Sequence, residues 1–231
     1  IFFMTLLLLL YFADIPYLGN EVPFYLCRMT RKIWLAGQVV YIVCATAIYT
    51  VAILLSTILI CGQRCYVGNI WSETAVKLAF TSAGKKLSLA ASEKTLELTR
   101  PYACMTTIFF LLFAYALVMV LLIFWFRILW NELAGMIAGV VFNGISFIFS
   151  PGILQKLLGI SERKSYLANV AAGWISPLSH ATYHLHNFGY DRLPSLRDSG
   201  IYDMVLVIML ILLNLYSIRT YHFVFDGTGE R

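Results

Sequence analysis

Two runs of the chain, 35–60 and 101–126, each pass through 26 consecutive residues without an Asp, Glu, Lys or Arg. A helix rises about 1.5 Å per residue, so each run reaches roughly 39 Å, further than the ~30 Å of hydrocarbon in a bilayer. A water-soluble domain of this size has no core deep enough to hide that much apolar surface. Backbone in lipid must satisfy its own hydrogen bonds, which makes helices the spanning structure for runs this long. The fold class that follows is an all-α membrane protein, a polytopic helical bundle whose longest helices tilt or project past the hydrocarbon.

Composition agrees and narrows the function classes. The chain is 60% hydrophobic and 13% charged, with a mean hydropathy of +0.79, where soluble domains sit near half apolar and a quarter charged. That excludes a water-soluble enzyme, a disordered tail and a nucleic-acid-binding domain of ordinary composition. Net charge is +5, from 17 Lys+Arg and 12 Asp+Glu. The basic residues lie in short segments between apolar runs, which suits anionic lipid and not nucleic acid. Cys27, Cys44, Cys61, Cys65 and Cys104 are too scattered for a disulfide framework. Cys65 could pair with Cys61 or Cys104 outside the cell, but reduced thiols at the membrane edge are the expected state.

Hydropathy places spans at 1–13, 35–60, 102–126, 133–154 and 202–222. The first is the tail of a helix: the sequence opens at Ile1 inside an apolar run, so part of a further span is expected before it. The fourth is softened by Gly135, Gly139, Gly144 and Pro151. Between the spans, 14–34 carries two prolines and then Arg28, Arg31 and Lys32. Segment 61–100 is polar, with 72–98 expected as an interfacial helix. In 155–201 the stretch 166–181, interrupted by Gly173 and Pro177, reads as re-entrant or interfacial. If 14–34 is cytoplasmic, so are the 127–132 turn and the C-terminus. That side then holds six basic residues against eleven opposite, and raw counting by the positive-inside rule would invert the protein.

Segment 19–37 is the most informative. A helix broken in by Pro23, then basic residues, then Trp34 and a long apolar run, reads as a helix along the membrane face, with Trp34 in the aromatic belt. An ordinary basic turn has the same composition. The pattern R-x-x-R-K-x-W-x-x-x-Q (Arg28, Arg31, Lys32, Trp34, Gln38) combines with three further features. These are a Trp-bearing loop near Trp71, two spans joined by a tight turn, and W-I-S-P-L-S-H-A at 174–181 before the last span. Over essentially its whole length the chain thereby resembles the membrane subunit of a bacterial type 2 (ABC-2) ATP-binding-cassette exporter.

That resemblance implies a six-span half-transporter in the bacterial cell membrane, with 1–13 as the end of the second span. It implies a coupling segment, 20–31 (Asn20, Glu21, Pro23, Phe24, Tyr25, Arg28, Arg31), that is cytoplasmic and docks into a separate ABC ATPase subunit, which overrules the charge count. Segments 61–100 and 155–201 would be extracellular. Two permease chains and two ATPase chains would form the working unit. ATP and magnesium belong to the partner. The nearest approach to a phosphate loop, 81–87, has Ala79 where the first glycine belongs and Lys86 where the hydroxyl belongs. No cofactor is therefore expected in this chain.

Mid-span polar residues are candidates for a transport path, because a polar group in hydrocarbon needs a partner or water. Those residues are Gln38, Thr46, Asn143 and Asn214. Glu132 and Asp203 are expected to cap helix N-termini. Gly135 and Gly139 form a GxxxG that permits close helix approach, either within the chain or, as the resemblance favours, as the seam of a homodimer. His180, His184 and His186 are spaced H-x3-H-x-H, and with Asp191 could suit a metal. Pro177 breaks the helix and no Cys or Glu lies near, so histidines hydrogen-bonding lipid headgroups are the expected state, with no metal. A membrane-embedded enzyme or scaffold built on these histidines is the rival reading. No carboxylate pair, Ser/His/Asp set or HExxH marks a catalytic centre. The scarcity of intramembrane charge points to a hydrophobic or amphipathic substrate: a peptide, a lipid-like molecule or a hydrophobic drug. Within the family, exporters of amphipathic cytolytic peptides such as phenol-soluble modulins have this compact form.

Overall fold

The computed structural model describes residues 2–16, 28–62, 67–81, 92–149, 151–157, 159, 161, 164–189 and 191–221. Among them every regular element is helical. The α-helices are α1 (Phe2–Tyr11), α2 (Arg31–Cys61), α3 (Glu73–Phe80), α4 (Glu93–Leu98), α5 (Pro101–Leu129), α6 (Glu132–Ile148), α7 (Pro151–Leu157), α8 (Ser165–Ile175), α9 (Pro177–Ala181) and α10 (Leu196–Ser217), with a single 3-10 turn at Tyr183–Leu185. Three of them, α2, α5 and α10, are long and apolar enough to cross a membrane.

Three expectations need correction. The apolar stretch 133–154 is not one helix: α6 ends at Ile148 and α7 opens at Pro151. Proline has no amide hydrogen to continue a ladder and restrains the residue before it, but it fits the first turn of a new helix. The last span starts at Leu196, six residues before the expected 202. Apolarity locates hydrocarbon, whereas a cap locates the helix start. Here Ser195 and Asp198 form a reciprocal capping box, the Asp198 amide donating to Ser195 Oγ at 3.2 Å and the Ser195 amide donating to Asp198 Oδ2 at 3.0 Å. Asp203 is therefore not a cap but the eighth residue of α10, and it is buried. In 72–98 two short helices, α3 and α4, are described, and 82–91 lies outside the described residues.

The chain packs as two compact units. The first takes Ile1–Tyr49, Ala114–Phe147 and Ile201–Arg231. Here α5 is the enclosed helix: Tyr115, Ala116, Val118, Met119, Val120, Leu121, Ile123 and Phe124 are all buried. The part of α2 in this unit is one-sided. Trp34, Leu35, Ile42, Ala45 and Thr46 are buried at helical spacing, while Val40, Tyr41 and Ile48 face out. On α10 Met204, Val205, Ile208 and Leu212 are likewise exposed. Exposed apolar stripes of that length belong to helices whose solvent is lipid.

Side-chain pairings give the helix directions inside this unit. On α6 and α5, Gly135 lies against Arg127, Gly139 against Ile123, and Asn143 is bonded to Tyr115, so the two run antiparallel. On α1, Thr5 is bonded to Asn143, Leu9 meets Gly139 and the Ile15 carbonyl beyond it accepts from Arg127. The α10 residues Asn214 and Ser217 meet Leu121 and Trp125. On α2 the Tyr49 hydroxyl donates to the Met4 carbonyl near the start of α1, and Trp34 packs on Phe124 near the end of α5. Thus α1, α5 and α10 run one way and α2 and α6 the other.

The second unit takes Thr50–Phe113 and Ile148–Gly200. Its apolar clusters are small. One joins Cys104, Leu111 and Tyr183, with Trp71 and Phe188 packed on it; the other joins Leu154, Ala168 and Ala172, with Phe149. Polar contacts supply the rest. Trp71 Nε1 donates to the Thr99 carbonyl at 2.8 Å, Lys94 pairs with Asp191, and Trp174 Nε1 donates to the Arg192 carbonyl at 3.1 Å.

Candidate functional site

One end of the first unit gathers the segment after α1, the start of α2, the end of α5 and the end of α10. Arg31 is the link: its Nη1 donates to the carbonyls of Arg219 at 2.6 Å and Ile218 at 3.3 Å. A guanidinium there meets carbonyls that the helix itself leaves unpaired, at the negative end of its dipole. Trp34 stacks on Tyr221 and packs against Phe124, both with ring centroids 6.4 Å apart. Trp34 is buried, so its expected place in a lipid-facing aromatic belt is corrected to the interior of this end. Arg127, also buried, donates to the Ile15 carbonyl, with Asp14 and Glu132 near enough to act on it electrostatically. The cap of α6 is Asn131, which accepts from the Ala134 amide at 2.8 Å, and not Glu132 as expected; Glu132 stands in the first turn of the helix.

Of the expected coupling residues, Arg28 is exposed in a turn and Arg31 opens α2. Asn20, Glu21, Pro23, Phe24 and Tyr25 lie outside the described residues.

The path candidates differ in their surroundings. Asn143 is buried and committed: its Oδ1 accepts from the Tyr115 hydroxyl at 3.1 Å and its Nδ2 donates to Thr5 Oγ1. Asn214 is buried too, its Nδ2 donating to Leu210 O at 2.8 Å and Leu121 O at 3.4 Å. Both side chains join helices here. Thr46 is buried on the inner face of α2, and Gln38 is half-buried near its start.

Gly135 and Gly139 are also taken up inside the chain. A Cβ at Gly139 would stand 2.6 Å from Leu9 Cδ2 and 3.0 Å from Ile123 Cγ1; one at Gly135 would stand 2.8 Å from the Ile123 carbonyl oxygen. The expected homodimer seam at these glycines is corrected to a seam between α6, α5 and α1, where the missing side chains let helices approach.

In the second unit the histidines do not meet headgroups as expected. His180 and His186 are buried, while His184 is exposed. Both buried rings converge on Ser199, itself fully buried in the first turn of α10: His180 Nδ1 lies 2.8 Å and His186 Nε2 lies 2.9 Å from Ser199 Oγ. The other nitrogen of His180 faces the Trp174 carbonyl at 3.1 Å. That of His186 faces the carbonyls of Thr182 at 3.0 Å and Tyr183 at 3.1 Å. Burial pushes the imidazoles of His180 and His186 below the ordinary histidine value, and their carbonyl partners pull them part of the way back. Among the described residues no group of three His, Cys, Asp or Glu is placed to hold a metal. Asp191, weighed as a ligand, pairs with Lys94 instead. Cys61 and Cys44 are exposed thiols and Cys104 a buried one, and Cys65 lies outside the described residues.

Sequence reasoning missed Tyr115, Thr5, Ser199 and the capping box. Ser-x-x-Asp at 195–198 was a readable signal. Tyr115 was legible as a hydroxyl in mid-run, but its partner on another helix was not.

No protein family, no curated protein and no solved structure matches this chain.

Proposed function

We propose that this chain is the permease half of an ATP-driven exporter of the ABC-2 type, a multi-pass protein of the bacterial cell membrane acting with a separate ATPase and a second copy of itself. The observation that carries the reading is Arg31. It ties the basic re-entry before α2 to the C-terminal end of α10. The resemblance requires those two segments on one side of the membrane. With the α5–α6 turn at the same end of the first unit, an ATPase pressing on 20–31 would act on α2, α5 and α10 together. Force delivered there would rock the helices and open a path outward for a hydrophobic or amphipathic substrate, of which an amphipathic peptide is the example the resemblance favours. The six-span count and the docking role of Phe24 and Tyr25 are parts of this proposal.

The rival reading, an enzyme or scaffold built on His180, His184 and His186, draws no support from rings of which two are buried against protein groups and the third stands exposed. The deciding experiment is reconstitution in lipid with the ATPase encoded beside this chain. Hydrolysis that depends on the chain, and that loses this dependence in Phe24→Ala/Tyr25→Ala, supports the proposal. An ATPase that neither binds the chain nor responds to it sinks the proposal.

A further inference from the structure

Asp203 stands on the inner face of α10. It is buried together with Leu210, Asn214 and Ser217 at helical spacing, while Ile201, Met204 and Val205 around it face out. Unlike Lys or Arg, an aspartate has no long stem with which to reach a membrane surface, so its carboxyl stays where the helix puts it. Its Oδ2 is fully enclosed and receives no hydrogen bond. Among the described residues no Lys, Arg or His acts on it electrostatically. The groups that feel its charge are two phenols of the same unit, Tyr115 on α5 and Tyr202 beside it on α10.

Tyr115 does not supply the missing donor. Its one hydroxyl hydrogen is committed to Asn143 Oδ1 at 3.1 Å, and Asn143 in turn donates to Thr5. Asp203 therefore lacks both a counter-charge and a donor on Oδ2. That state is costly away from water, and intramembrane carboxylates of this kind mark binding sites.

The surroundings define what would complete it. The absent group must bring a hydrogen for Oδ2 and a positive charge. Tyr115 offers an aromatic ring stacked on Phe142, the centroids 5.7 Å apart, and aromatic faces attract a cation by their quadrupole. A hard metal ion is served poorly, because calcium takes roughly six to eight oxygens and magnesium a full octahedron. Ile201, Met204 and Val205 face hydrocarbon, so a molecule that reaches Asp203 from there carries its charge on an apolar body. We propose that Asp203, with the Tyr115 and Phe142 rings, forms a buried site for the primary ammonium group of an amphipathic molecule. The consequence rests on the transport reading: Asp203 becomes a contact for cargo, and the cargo narrows to amphipathic cations. Binding itself requires neither the ATPase nor ATP.

The test uses the purified chain in nanodiscs of phosphatidylcholine, a lipid without net charge. Three probes share one alkyl tail: decylammonium, decanol and decanoate. Equilibrium dialysis against empty nanodiscs measures binding. The expected result is one saturable decylammonium site per chain, with no such site for decanol or decanoate. Asp203→Asn should weaken it roughly thirtyfold or more, while Asp203→Glu, which keeps the charge, should retain most of it. Decanol binding as well as decylammonium, or affinity unchanged in Asp203→Asn, overturns the proposal. So does displacement by sodium but not by choline at equal ionic strength, which marks a sodium site. No probe bound beyond the empty nanodiscs also overturns it, leaving Oδ2 to water or a proton alone. Should Asp203→Asn fail to fold, the three probes on the native chain and on Asp203→Glu decide. A failure here leaves the ATPase dependence standing, and a failed ATPase dependence leaves this binding standing, so the two readings fall separately.

Discussion

The two units handle polarity in opposite ways. In the first, long apolar helices carry a few buried polar side chains, several of which tie distant segments together: Asn143 to Tyr115 and Thr5, Asn214 to Leu121, Arg127 to Ile15. In the second, short helices and turns are held by closely spaced polar contacts, with the two histidines on Ser199 at their centre. Packing in lipid has no hydrophobic drive between helices, so close approach at glycine and sparse hydrogen bonds define the register. Where helices have five to eleven residues, too few apolar side chains exist to define anything, and hydrogen bonding to carbonyls and capping side chains takes over.

The contrast can be broken most severely at Gly139. Gly139→Leu should destabilise the folded chain by about 3 kcal/mol, because Leu9 and Ile123 occupy the space. Unfolding of the detergent-solubilised chain measures it, and an unchanged midpoint would show that the α1–α5–α6 seam is not closely packed. Asn143→Ala should cost about 2 kcal/mol, since it removes the buried bonds that Asn143 makes to the Tyr115 hydroxyl and to Thr5. Tyr115→Phe should cost about half as much, and a larger loss for Tyr115→Phe than for Asn143→Ala would reverse the order argued here.

Acid sharpens the comparison in the second unit. Burial holds His180 and His186 below the ordinary histidine value of about 6.5. The unfolded chain therefore binds more protons than the folded one as pH drops below that point. Stability from this pair is present above it and is lost on acidification. A folded pair held neutral against two protons when unfolded gives a slope approaching about 2.7 kcal/mol per pH unit. The slope that disappears in His180→Gln/His186→Gln reads it, and an unchanged slope in that variant would show that the fold does not hold these two rings neutral. The smallest effect is at the start of α10. Ser195→Ala should cost about 1 kcal/mol through the lost capping box, visible as faster amide exchange at Leu196–Asp198, with no change in the first turn of α6.

Much of the scaffold was legible. The charge-free runs 35–60 and 101–126 emerge as Arg31–Cys61 and Pro101–Leu129, displaced by at most four residues. Boundaries failed where apolarity and capping disagree, as at Leu196, and where proline splits an apolar run, as at Pro151. The site residues fared less well. Gly135 and Gly139 were recognised as small residues for close packing, but not whose helix fills the space. Trp34 carries the composition of a lipid-facing belt residue, yet Phe124 and Tyr221, ninety and more positions away in sequence, enclose it.

Composition and order alone determined that the surroundings of this chain are hydrocarbon and that its long elements are helices. Transfer free energy adds residue by residue, and an unpaired backbone in lipid permits few alternatives. Which buried donor meets which acceptor was decided only on folding. Ser199 becomes the meeting point of His180 and His186, and Arg31 finds the carbonyls just past the end of α10, because a hydrogen bond depends on positions to within a fraction of an ångström, and those are set by the packing of distant segments.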